Sequence, residues 1–228
     1  MWLAAFTAIR RFAGFSTERT PRLTDKLSTS VFGVRFDMAG PVAGVLVREP
    51  VDPAGREYVG ALVQALSGTA PNETVSGEGS FWISTGTAID AAYTGEGRPF
   101  SLHYDTPPES YAEPGTTDEM EKALGYLPPQ EILIVAYCNG AEDHLLLGRL
   151  VLTLAKRFGG VVNMGGPVET AMGRDEDDPE AQAIKRSLPG KCYEVSYEID
   201  EKRRGSFHVV DTTFLDAWLA HPRFRMVK

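Results

Sequence analysis

The stretch EILIVAYCNGAEDHLLLGRLVLTLAKRFGGVVNM, residues 131–164, constrains the fold of this chain most. It opens with EILIVAY, whose branched and aromatic side chains suit a strand. After a Cys-Asn-Gly turn, Leu147, Leu150, Val151, Leu154, Ala155 and Phe158 recur at helical spacing. Arg149, Lys156 and Arg157 fall on the side left for water. The pattern predicts a helix over Ala141 to Phe158, stopped by Gly159 and Gly160, with VVNM returning as strand. Strand, helix and strand in close succession must bury their apolar faces against one another, which sets an architecture of sheet and covering helix.

An earlier segment repeats the theme. VAGVLVR (42–48) reads as a largely buried strand. Asp52 caps a following helix, Pro53 fits its first turn and Gly68 ends it, with Tyr58, Leu62, Ala65 and Leu66 as the inward stripe. SFWIST is a short strand that turns Trp82 to one face, for sheet packing or for stacking on a ligand. GRPFSLHY (97–104) is another strand. Residues 106–118 are rich in proline and turn formers and read as an irregular loop, and EMEKALGYL gives a brief helix. KCYEVSYEI and SFHVV form a hairpin about KRRG, with Tyr193, Val195, Tyr197 and Ile199 opposite Cys192, Glu194, Ser196 and Glu198. Asp211 caps a last helix with Phe214, Leu215, Trp218 and Leu219 inward, and Pro222 stops it. The sum is an α+β domain of split strand-helix-strand units on one mainly antiparallel or mixed sheet, ferredoxin-like in spirit. The competing fold is a three-layer α/β arrangement with a parallel sheet.

Charge divides the chain unevenly. The net charge is −8, yet residues 1–37 hold six basic and three acidic residues, a balance of +3, leaving −11 for the remainder. This sets a basic N-terminal extension (1–37), disordered or loosely packed, apart from a single domain over 38–228. MWLAAFTAIRRFAGF places its arginines after its apolar residues, the reverse of a secretory signal, and the chain has no apolar run of membrane-spanning length. Met38, followed at once by the patterned body, is a second candidate for the native first residue. An acidic body argues against nucleic acid as a partner and for a basic protein. Two cysteines, Cys138 and Cys192, exclude a disulfide-rich scaffold and a four-cysteine zinc module.

The residues able to carry chemistry are few. Cys138 at a strand end and His144 on the next helix invite a nucleophile and base, oriented by Glu142 or Asp143. His144 and His208 are the other pairing for a hydrolytic pocket. No HxH or HExxH pair, nucleotide-binding glycine pattern or EF-hand spacing occurs, so neither a metal nor a cofactor is expected. Exposed acids are the alternative to catalysis: Glu142, Asp143, Asp175, Glu176, Asp177 and Asp178 are candidate contacts for a basic partner.

AYCNGAEDHLLLGRLVLTLAKRFGGVVNMGG, YEVSYEI and above all HVVDTTFLDAWLAHPRFRMVK resemble the bacterial domain-of-unknown-function family 6368, common in actinobacteria, over roughly Met38 to the end. The resemblance carries no catalytic assignment. Its members are similar, more weakly, to small cytoplasmic immunity proteins of bacterial toxin systems, which implies a cytoplasmic interaction protein that occludes a basic toxin domain. The rival expectations are a small hydrolase using Cys138 or a His144/His208 pocket, and a non-catalytic structural subunit.

Overall fold

The computed structural model describes residues 40–68, 77–168, 179–200 and 203–227, with the backbone of 29–31 and 34–36. The chain divides into two compact units, Met1–Met38 and Ala39–Lys228. In the first, β1 (Thr29–Val31) and β2 (Val34–Phe36) pair antiparallel. The acidic segment holding Asp175, Glu176, Asp177 and Asp178 lies outside the described residues.

The second unit is built on one sheet. Its strands are β3 (Val42–Val47), β4 (Gly79–Thr85), β5 (Thr94–Asp105), β6 (Gln130–Ala136), β7 (Val161–Asn163), β8 (Cys192–Asp200) and β9 (Arg203–Val210). They lie in the order β4-β5-β6-β3-β7-β9-β8, and every described pairing is antiparallel. The fold is therefore α+β, and the parallel three-layer alternative is not what forms. With edge strand β4 set aside, β3, β5, β6 and β7 take the sheet order of a split βαβ unit, and the β8–β9 hairpin extends it on one side.

Among the described residues the helices of the unit are α1 (Pro53–Ser67), α2 (Thr116–Leu124), α3 (Ala141–Phe158), α4 (Pro179–Ser187) and α5 (Thr212–Leu219). Asp52 accepts a hydrogen bond from the Gly55 N–H at 2.7 Å and starts α1; Asp211 accepts from Phe214 N–H at 2.8 Å and starts α5. In α3, Leu147, Leu150, Val151, Leu154 and Ala155 are buried as their spacing requires, and Phe158 is half-buried. The stripe of α1 is rotated from the expected one: Val59, Leu62, Val63 and Leu66 are buried, Tyr58 is half-buried and Ala65 exposed. Two valines bury more apolar area than a tyrosine, which keeps its hydroxyl wet, and an alanine. Tyr58 instead meets the edge of Phe158 on α3. The expected loop over 106–118 is partly ordered, with a 3-10 turn at Glu109–Ala112 and α2 starting at Thr116.

Strand alternation splits the core in two. Ala43, Val45 and Val47 of β3 face the cluster formed with α1, α3 and α5. Leu46 faces the opposite side, where Met120 of α2 packs with Val195, Phe207 and Val209. Helices thus cover one face broadly, whereas α2 packs chiefly on β8 at one end of the other face.

Candidate functional site

Cross-strand register arranges the second face of the sheet in rows. Ser80, Ser101, Val135 and Val42 form one; His103, Leu133, Gly44 and Asn163 the next; Asp105, Glu131, Leu46 and Val161 the third. Trp82, beside Pro99, extends this face at the edge strand. Toward β8 and β9 the face is closed by α2. Over β4, β5 and β6 no described α-helix covers it, and exposure is uneven: Trp82 is 44% exposed and Val42, His103, Leu133, Val135 and Tyr137 are half-buried, whereas Ser101 and Glu131 are 1% and 2% exposed. The Tyr137 hydroxyl donates to Ser101 Oγ at 3.2 Å and lies along the same face.

The third row places two carboxylates, Asp105 and Glu131, directly opposite each other on neighbouring strands. Like charges in that relation repel. Glu131 is 2% exposed, and its side chain crosses diagonally over Gly44 to Asn163, whose Nδ2 donates to Oε1 at 2.9 Å. Asn163 Oδ1 in turn accepts the Gly165 N–H at 3.0 Å, so the amide presents its NH2 group to Glu131. Burial raises the Glu131 carboxyl to about 7; the Asn163 hydrogen bond opposes this, and Asp105 and Glu109 add to it. Burial also raises Asp105 and Glu109, with His103 partly offsetting the rise at Asp105. A carboxyl placed in this way exchanges its proton near neutral pH.

The histidines and Cys138 were the expected chemistry, and the structure gives both histidines structural partners. His144 Nδ1 accepts the Met226 N–H at 3.1 Å and Nε2 lies 3.0 Å from Asn139 Oδ1. That makes Nε2 the protonated nitrogen and clips the C-terminal segment to the start of α3. His208 Nδ1 accepts the Val168 N–H at 2.6 Å, so its proton also sits on Nε2. Burial, with the Lys185 ammonium second, lowers His208 to about 4; the Glu194 carboxylate 3.8 Å from Nε2 therefore faces a neutral ring. Both imidazoles use the ring nitrogen that a general base needs to accept a backbone N–H. Cys138 is half-buried in the turn after β6.

The two described partner candidates have different surroundings. Glu142 stays at the surface, paired with Arg98 at 3.1 Å. Asp143, expected among the exposed contacts, is buried: it accepts the Gly140 N–H at 2.7 Å and lies 3.5 Å from Arg98 Nη1. A carboxylate at the third helical position folds back to the helix start, because the unpaired N–H groups and positive helix end draw it there. Among the described residues, no three His, Cys, Asp or Glu groups are placed to hold a metal, and no helix is long and apolar enough to cross a membrane.

Sequence reasoning passed over Glu131 and Asn163. Two signals marked them: a glycine in the middle of the apolar strand VAGVLV, where another group approaches closely, and a lone acid opening the strand EILIVAY.

No curated protein and no solved structure matches this chain. A family model does: it describes a family of unknown function, DUF6368, and covers residues 39–228, the whole of the sheet and its helices. The chain belongs to that family.

Proposed function

We propose that this is a cytoplasmic, non-catalytic interaction protein of a bacterial cell that binds a basic protein across the open half of its sheet, as an immunity protein would occlude a basic toxin domain. One observation carries the reading: Trp82, 44% exposed, and half-buried Tyr137, Leu133, Val135 and Val42 border half-buried Asp105, with Glu131 buried beside it. An apolar centre with an aromatic anchor beside a charged rim is the make-up of a protein interface. Charge selects the occupant. The body of −11 repels a second copy of itself and speeds encounter with a basic surface.

The hydrolase reading asks His144 or His208 to release a backbone N–H before acting as a base, which leaves a buried donor unpaired. The geometry favours binding over it.

The test is recovery of the chain from its native host, followed by carbodiimide cross-linking and mass spectrometry. The expected product joins Asp105 or Glu109 to lysines of one basic protein, and Trp82→Ala abolishes it. Retention of a small ligand with no protein, or cross-links indifferent to Trp82→Ala, overturns the reading.

A further inference from the structure

Within the open face, Glu131 occupies a built recess. Its floor is the bare backbone of Gly44, where a Cβ would come within 2.7 Å of the Glu131 Cγ and closer still to the carboxylate. Asn163, itself held by Gly165 N–H, grips one oxygen. The other oxygen has no hydrogen-bond partner among the described residues and is not among the fully buried polar atoms that lack one, so it keeps some access from outside. A buried carboxylate normally has a cation or several donors around it. Here the surroundings run the other way. Asp105 and His103 stand on β5, and Glu109 and Tyr111 lie on the 3-10 turn; β3 and β7 offer only Gly44, Leu46 and Asn163. No lysine or arginine pairs with Glu131 among the described residues.

We propose that the Glu131 recess, with Asp105 and Glu109 at its rim, is the receptor for one lysine or arginine side chain of the basic partner. The proposal rests on the docking reading for the identity of the donor, and on the recess itself for the chemistry. The side chain's cation takes the unpartnered oxygen of Glu131 and lies between carboxylates that otherwise repel each other. A guanidinium fits best, since its planar fork satisfies two carboxylate oxygens at once. Only ionised Glu131 receives the cation, so binding and proton release are linked. With the carboxyl at about 7, the ionised fraction rises from about one tenth at pH 6 to about nine tenths at pH 8, and affinity rises about tenfold with it.

The experiment follows the carboxyl carbon of Glu131 by NMR in 13C-glutamate-labelled full-length protein, assigned with Glu131→Gln. The probes are Nα-acetyl-arginine amide and its neutral analogue Nα-acetyl-citrulline amide. The expected result is a Glu131 midpoint lowered by one unit or more at saturating arginine amide and unmoved by the citrulline compound. Asp105→Asn, which keeps the strand pairing, should reduce the shift. Equal midpoints with both probes overturn the receptor while leaving Trp82-dependent docking to stand or fall on its own cross-linking test. A shift that persists in Asp105→Asn and Glu109→Gln together overturns the role of the rim.

Discussion

The carboxylate of Glu131 lies where a side chain on Gly44 would be, so the two residues fill one space from adjacent strands. Removing the Cβ at Gly44 opens the sheet face enough for a long acid to cross it and reach Asn163 on β7.

Gly44→Ala puts a methyl group into that space. Overpacking of this kind costs about 1–3 kcal/mol. Urea denaturation should show Gly44→Ala destabilised by about that amount, and Glu131→Ala in the same chain should recover most of it. Simple additivity of the two changes would show that the contact is not what makes the glycine necessary.

Two buried groups titrate in opposite senses. Glu131 has a folded value of about 7 against an ordinary 4.5, so its contribution is complete below pH 4.5 and is lost as pH rises through 7. His208 has a folded value of about 4 against 6.5, so its contribution is present above 6.5 and is lost as pH falls through 4. Each displacement corresponds to roughly 3 kcal/mol. Between pH 4.5 and 6.5 the slopes offset. Urea midpoints across that range should rise with pH in Glu131→Gln and fall in His208→Asn, whose side-chain oxygen can still accept the Val168 N–H. Asp105 and Glu109, raised like Glu131, oppose the first slope.

His144 should behave as a clip. Replacing it with alanine leaves the buried Met226 N–H without an acceptor, at a cost of about 1–3 kcal/mol. The C-terminal segment also packs Phe224 against Gly148 of α3, where a Cβ would lie 2.7 Å from the ring. Hydrogen exchange in His144→Ala should therefore speed at Met226 and around Gly148, with little change in β8. Uniform protection despite the substitution would contradict the clip.

Trp82 offers the opposite profile. It is 44% exposed on an edge strand, so Trp82→Ala should alter stability by about 1 kcal/mol or less. Loss of the partner at unchanged melting temperature is the expected combination, measured by thermal denaturation beside the cross-linking assay.

Much of this fold was legible from local pattern. Asp52 and Asp211 announced their helices because a cap bond spans three residues, and the α3 stripe followed from spacing alone. The α1 stripe was misplaced by a fraction of a turn. Which side of a helix is innermost depends on the surface it meets, and Val59 and Val63 fit that surface.

The candidate site was harder to see, because its parts meet only through the sheet. His144 and Met226 lie 82 residues apart in sequence, His208 and Val168 lie 40 apart, and Glu131 and Asn163 lie 32 apart. No periodicity reports such distances. The sequence by itself determined the caps and the charge asymmetry, properties of neighbouring residues or of simple sums, and it ranked the α+β class ahead of the α/β rival that strand pairing then removed. Tertiary structure decided that the histidines hold backbone, that Asp143 is buried beside Arg98, and that Glu131 is buried with no lysine or arginine paired to it among the described residues. The physical reason is that ionisation and hydrogen-bond satisfaction depend on which groups folding brings within about 3 Å of one another.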